Sequence, residues 1–261
     1  MRVRTLAVAT AVGLVASLAP TVAAEAAAKP TYKVSISTSA TKADVGRTIK
    51  VSGKVAGPLA AKKRLAVQVK VGKGAWKTVA KVRTTTTRRY AAKVKVRTAG
   101  AQSIRVLAPT SKRAKAGASR TRAFTGWRWL DLTTQPTQLA GESVVGPVTI
   151  AGRKYAKAIT FTNAGRYYNV EGVCDTVRLG AGVKDGLETE SSFVTLTTTG
   201  SAFSDTRTPV SPGAPAKTVR RVISGAELFA MGSGDSGPVT AVDPVVHCKV
   251  NRLAEAELPP L

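Results

Sequence analysis

The stretch Leu65-Ala66-Val67-Gln68-Val69-Lys70-Val71 places an aliphatic side chain at every second position and a small or polar one between. This period-two alternation is typical of a β-strand that buries one face. Similar short runs, separated by turn residues, occur at residues 32–37, 48–53, 76–82, 90–96, 104–106 and 118–124. Seven short strands within about 95 residues predict a β-sandwich for this part of the chain.

Charge is distributed unevenly along the 261-residue chain, which carries 40 Lys and Arg against 15 Asp and Glu, a formal net charge of +25. Residues 29–124 contain 25 basic residues and a single acid, Asp44, whereas residues 125–261 contain 13 basic and 13 acidic residues. The change predicts two domains, a strongly basic one over 29–124 and a charge-neutral one over 125–261. We interpret the low-complexity stretch 109–119 as either a linker or a basic loop between two strands.

The first 28 residues have the organisation of a secretory signal peptide. Arg2 and Arg4 precede an apolar run from Leu6 to Leu18, and small residues follow at 22–28. A run of about 13 apolar residues is too short to cross a bilayer, which takes about 20; the alternative is a buried N-terminal helix. We expect cleavage after residue 24, 26 or 28, no transmembrane segment, and a secreted, extracellular protein that the cell wall could retain.

Residues 125–261 are also rich in strand patterns. Candidate strands, separated by turns with Gly, Pro or Asn, lie at residues 144–150, 158–162, 167–170, 176–179, 192–198, 218–222 and 227–231. No long stretch has the 3.6-residue period of an amphipathic helix. The whole chain is therefore predicted to be all-β.

Three segments of the basic half resemble a known family. They are residues 44–55 (Asp-Val-Gly-Arg-Thr-Ile-Lys-Val-Ser-Gly-Lys-Val), 74–80 (Gly-Ala-Trp-Lys-Thr-Val-Ala) and 89–94 (Arg-Tyr-Ala-Ala-Lys-Val). Their sequences resemble the bacterial Ig-like repeats of exported actinobacterial proteins, and the resemblance covers residues 30–124. The resemblance implies an Ig-like sandwich, a module that serves as spacer, adhesin or binding domain.

The second half is similar to another family, the NPCBM carbohydrate-binding modules. Matching segments lie at residues 129–132, 150–159, 168–174, 179–185 and 224–228, and residues 158–162 depart from the family's Gly-Leu-Gly-x-His-Ala. The similarity implies a C-terminal jelly-roll-like β-sandwich that contacts glycan. Four aromatic side chains are then the candidate glycan contacts: Trp127, Trp129, Tyr155 and Tyr167.

The two cysteines, Cys174 and Cys248, fall in the same predicted domain. Export implies an oxidising compartment, and an even number of cysteines there favours a disulfide. A bond closing 74 residues would stabilise the fold by about 4 kcal/mol on chain-entropy arithmetic. A free redox or metal-binding pair is the alternative.

Several motifs resemble catalytic sites but lack essential partners. Residues 234–238, Gly-Asp-Ser-Gly-Pro, look like a serine-protease nucleophile loop around Ser236, but the single histidine, His247, follows that serine by 11 residues. A Ser-His-Asp triad needs an imidazole placed to take the serine proton, so we expect a polar turn. Glu188 and Glu190 could form a glycosidase pair, although exposed acids on a neutral domain are ordinary. We expect no enzyme activity, no catalytic residues, no cofactor and no bound metal.

The basic half suggests a polyanionic partner, because its Lys and Arg alternate with core residues and must point outward. Candidate partners are teichoic acid, acidic capsule, anionic headgroups or stray DNA, and plain solubility is the alternative. Specific nucleic-acid binding is disfavoured because aromatic residues for base stacking are sparse. The candidate polyanion contacts are Lys62, Lys63, Arg64, Arg88, Arg89, Lys93, Lys95 and Arg97.

These observations predict an exported, non-catalytic binding protein of the cell envelope. Its basic domain would retain it on a polyanionic wall or capsule polymer, and its second domain would contact glycan. A secreted hydrolase and a structural or adhesive spacer are the alternatives. The sequence does not predict an oligomeric state.

Overall fold

The computed structural model describes residues 28–200, 202–234 and 237–256, and the signal-peptide prediction falls, except for residue 28, outside these ranges. The first half of the chain forms β1 (Lys33–Val34), β2 (Ser37–Thr38), β3 (Lys42–Asp44), β4 (Thr48–Ala56), β5 (Arg64–Val71), β6 (Lys77–Arg83), β7 (Arg89–Lys95), β8 (Gly100–Ala108) and β9 (Gly117–Ala118).

The second half continues with β10 (Arg122–Asp131), β11 (Gln138–Val145), β12 (Val148–Ile150), β13 (Arg153–Tyr155), β14 (Ala158–Asn169), β15 (Cys174–Gly182), β16 (Ser191–Thr199), β17 (Ala202–Val210), β18 (Lys217–Val222), β19 (Leu228–Ser233) and β20 (Val239–Cys248). The prediction of an all-β protein is confirmed. Within the described ranges, no helix is long and apolar enough to span a bilayer.

The basic half packs two sheets against one core. In the first sheet β4 is central, with β1 and β2 along one edge and β7 along the other. In the second, β5 lies between β6 and β8, and β8 continues to β10 and β3. Alternation along each strand sends its apolar side chains inward, among them Ile49, Leu65 and Ile104, and Tyr32, just before β1, packs in the same core.

The second half is organised around β20. One edge of β20 pairs with β15, and its other edge pairs with β10 and then with β14. Strands β19, β16 and β17 extend the sheet beyond β14. Its core is larger and more aromatic, with Phe161, Tyr168, Phe193 and Phe229 fully buried.

Strand β10 belongs to both halves. Residues 122–126 pair with β8 and residues 128–131 pair with β20, so the sequence-predicted boundary at 124/125 lies inside one continuous strand. The low-complexity stretch 109–119, predicted to be either a linker or a basic loop, forms the turns between β8 and β10 and includes β9. The hydrophobic clusters nevertheless stay separate: the first contains Phe124 and the second includes Leu130.

Cys174 on β15 and Cys248 on β20 are directly opposed and form a disulfide that closes 74 residues of chain. The predicted disulfide is confirmed. It joins neighbouring strands of one sheet beside the point where β20 meets β10.

Candidate functional site

The outer surface of β4 and β7, termed here the β4–β7 face, is cationic. Buried Ile49, Val51 and Val55 alternate along β4 with outward residues, and the antiparallel register sets Lys50 opposite Lys93 and Lys54 opposite Arg89. Like charges directly opposite one another on a sheet destabilise it. The fold therefore tolerates an unfavourable arrangement that a bound anion would relieve.

A shallow depression of about 550 Å³ lies on this face where the chain passes from β1 to β2. There the Ser35 carbonyl packs so closely on Gly53 that any Cβ at that position would overlap the carbonyl oxygen. The Tyr90 hydroxyl donates to the same oxygen at 2.6 Å, and burial raises the pKa of this phenol well above its usual value. Tyr90 therefore stays a protonated donor, and its hydrogen bond holds the Ser35 carbonyl in place between β1 and β2.

The second sheet of the basic half carries a different kind of groove. Arg64 lies opposite Arg83, and together with Lys81, Val82 and Pro109 they line a space of about 390 Å³ whose walls are mainly apolar. On the same sheet Lys70 and Arg105 lie 5.4 Å and 4.3 Å from the Trp76 ring. The protein's own cations therefore cover this indole.

The cations of the basic half have no carboxylate partners of their own. Asp44 is the only acid among residues 29–124, and its carboxylate faces His247 at 3.1 Å. Within the described ranges, no Lys or Arg of residues 29–124 takes part in an ion pair. Both outer faces therefore present positive charge that no carboxylate in the described part of the chain pairs with.

The eight predicted polyanion contacts divide between several places. Arg89, Lys93 and Lys95 lie at alternate, exposed positions of β7, and all three belong to the β4–β7 face. Lys62, Lys63 and Arg64 lie at the start of β5, where the Lys63 ammonium is 4.7 Å from the Tyr32 ring. The remaining two, Arg88 and Arg97, are exposed just outside the ends of β7.

Sequence reasoning missed Lys50 and Lys54, which face the predicted residues across the strand pair. The alternation of residues 48–54 already indicated that both lysines point away from the core. What the local pattern could not supply was the register that pairs them with β7.

A stack of rings and cations holds the two halves together at β10. Trp127 and Trp129 point to the same side of β10, and the His247 ring lies between their indoles, with centroids 5.0 Å and 4.8 Å away. Lys42 covers the outer side of Trp127 at 5.7 Å, and Arg178 covers Trp129 at 4.9 Å. This stack contains residues from both halves of the chain.

Both ring nitrogens of His247 meet carboxylates. Its Nδ1 is 2.8 Å from the Asp175 carboxylate and its Nε2 is 3.1 Å from the Asp44 carboxylate, so each ring nitrogen lies within hydrogen-bond distance of an acid. Asn251 adds a second link, because its side chain bonds with Thr98 and Ala99 of the basic half. We infer that His247 is a structural clamp between β3, β15 and β20.

The four candidate glycan contacts do not form one site. Trp127 is only 9% exposed, and Trp129, at 38% exposed, contacts the His247 ring and the Arg178 guanidinium, so both tryptophans lie at the junction. Tyr155 lines a groove of about 340 Å³ with Arg153 above its ring. Tyr167 lines a separate groove of about 510 Å³ on the outer face of β14, β19 and β16.

The remaining candidates for chemistry are Ser236, Glu188 and Glu190. Ser236 falls outside the described residues. Glu188 and Glu190 are exposed in the segment before β16, and the Asp185 carboxylate accepts the N–H groups of Ala151 and Gly152. In the described part of the chain, no three His, Cys, Asp or Glu side chains form a group able to hold a metal ion.

Comparison with known proteins adds little to this geometry. No family model matches the chain, and no curated protein matches it. It is similar to a solved structure described as "Putative membrane anchored protein from Corynebacterium diphtheriae", with 15% identity and a TM-score of 0.30, covering 84% of this chain and 51% of that one. The chain thus spans about half the length of that protein, and so distant a likeness assigns it neither a fold family nor a function.

Proposed function

We propose that this chain is an exported, non-catalytic protein of the actinobacterial type of cell envelope, held there by binding of its basic half to polyanionic polymers. In this proposal the basic half is an Ig-like module and the second half a carbohydrate-binding type of jelly roll. The observation that supports it most is that, in the described part of the chain, no Lys or Arg of residues 29–124 forms an ion pair, and the only acid of those residues, Asp44, faces His247.

The physical basis is the release of counterions. Each Lys or Arg that meets a charged group of a polymer frees condensed ions, so affinity falls as salt rises. The second half, with 13 basic and 13 acidic residues, offers few such contacts. Binding should therefore come from the basic half while the second half stays free for another ligand.

The test is binding of residues 29–261 to poly(glycerol phosphate) and to heparin, with uncharged dextran of the same length as the control. We expect binding to both polyanions at low salt, weak binding at high salt, and none to dextran. Failure to bind either polyanion at low salt would leave the spacer alternative ahead.

The second half supports a glycan contact at Tyr167 better than at the two tryptophans. Its ring borders a groove whose floor includes Gly165, Ala230 and Gly232, small residues that leave room for a sugar ring against the tyrosine. Tyr167→Ala should lower retention on an array of wall-type glycans at least several-fold, whereas Tyr155→Ala, in the other groove, is the matched control. Equal retention of the Tyr167 variant and the parent protein would contradict this assignment.

The hydrolase alternative has less support. His247 is the chain's one histidine, its ring lies between two indoles, and both its nitrogens face carboxylates. A base in that setting is poorly placed to take a proton from a serine.

A further inference from the structure

Between the cation pairs of the β4–β7 face, a row of small residues crosses the sheet. Ser37 on β2 pairs with Ser52 on β4, and Ser52 pairs with Ala91 on β7. All three belong to the lining of the 550 Å³ depression. They form a transverse channel whose floor lacks bulky side chains.

Pairs of cations form the two banks of this channel. Lys50 and Lys93 lie on one side of the small row, and Lys54 and Arg89 lie on the other. Lys50 and Lys54 are four residues apart on one strand, which places the banks about 13 Å apart. Long, flexible Lys and Arg side chains can lean inward across that distance toward an anion on the floor.

The floor also offers free hydroxyls. Within the described ranges the Ser37 and Ser52 side chains make no hydrogen bond, whereas the Ser35 hydroxyl bonds to the Lys54 backbone. Two hydroxyl donors between four cations match the needs of a phosphate group, which accepts several hydrogen bonds.

We propose that this channel is the primary binding site for a polyol-phosphate chain, with one phosphodiester seated on Ser37 and Ser52 between the two cation banks. The inference rests on the proposed polyanion binding and adds the face and the ligand class. Three of the four bank cations are lysines, which bind phosphate as point charges, and the guanidinium of the fourth, Arg89, can bind a phosphate group through two parallel hydrogen bonds.

The same face argues against nucleic acid as the preferred ligand. The depression is lined by one aromatic residue, Tyr90, and Tyr90 is 3% exposed with its hydroxyl bonded to Ser35. Single-stranded nucleic acids gain much of their binding energy from bases stacked on exposed aromatic rings. A flexible phosphate chain has no bases, so the lack of an exposed aromatic ring does not reduce its binding energy.

The test compares two charge-matched double variants of residues 29–261. The site variant is Lys50→Gln with Lys93→Gln, and the control is Lys77→Gln with Lys81→Gln on exposed β6 of the other sheet. Affinity for poly(glycerol phosphate) should fall about tenfold or more in the site variant, and its log–log salt slope should become shallower by about 1.4 for two lost contacts. The control should lose less than about threefold affinity and keep its slope.

A third variant, Ala91→Leu, fills the floor without changing charge. Ala91 is exposed, so this variant should fold, as an unchanged urea midpoint would verify. We expect it to weaken polyol-phosphate binding while heparin binding stays within about twofold. Equal losses in site and control variants, no effect of Ala91→Leu, or tighter binding of oligo(dT) than of a polyol phosphate of equal charge would overturn this site. Absence of all polyanion binding by the parent protein would instead remove the proposed function itself.

Discussion

At the scale of single residues, His247 and Asp44 are each unique in their surroundings, one the chain's only histidine and the other the only acid of residues 29–124. The fold brings them to 3.1 Å across a sequence separation of 203 residues. Nothing in the local pattern around either residue could have predicted the pairing, because it depends on the meeting of β3, β10 and β20. In this arrangement the two side chains link β3 to β20 and so have a structural role.

Replacing His247 should therefore loosen the junction. His247→Leu leaves the Asp44 and Asp175 carboxylates facing an apolar side chain, and we expect a loss of about 1–3 kcal/mol in the free energy of unfolding. Urea denaturation at pH 7 measures it, with Glu142→Gln, on an exposed residue of β11, as the control. An unchanged midpoint for His247→Leu would show that the clamp contributes nothing.

At the scale of elements, period-two alternation predicted strand positions well where one face is buried. It failed where that contrast is absent: it predicted neither β20, which is buried at four consecutive positions from Val239 to Val242, nor β17, an exposed, polar strand recognisable only through its pairing with β16. The patterns at 158–162 and 167–170 are parts of one strand, β14. Asn163 has a left-handed backbone (φ 50°) within it and interrupts the alternation. Pairing partners and register are long-range properties, and local sequence carries little information about them.

The disulfide between β15 and β20 is expected to stabilise the whole molecule. Cys174→Ser with Cys248→Ser removes the covalent tie between these strands, and chain entropy predicts a loss of about 4 kcal/mol for a 74-residue loop. Because β20 also pairs with β10, which continues into the basic half, we expect one cooperative transition at a lower melting temperature. Calorimetry of the variant checks this, with the disulfide-bonded parent protein as the reference.

A different calorimetric result would contradict that expectation. Two separated transitions, with the first moving and the second unchanged, would mean that the halves unfold independently despite the shared strand. An unchanged melting temperature would mean that the disulfide does not stabilise the fold.

At the scale of the whole molecule, composition alone separated a basic half from a neutral one, and the structure adds where the charge is presented. The sequence indicated outward Lys and Arg and the cysteine pair. It did not indicate that the boundary lies inside β10, that two candidate glycan tryptophans contact His247 at the junction, or that Lys50 and Lys54 lie opposite Lys93 and Arg89. Each of these depends on pairing between strands distant in sequence.

The most direct measurement is the salt dependence of binding between residues 29–261 and poly(glycerol phosphate). With four cations around the β4–β7 channel and about −0.7 per contact for a flexible polymer, a log–log plot of affinity against salt should be linear with a slope of about −3 or steeper. The site variant Lys50→Gln with Lys93→Gln should reduce that slope, and the β6 control should not. A flat plot, or equal slopes for all three proteins, would contradict electrostatic retention through this face.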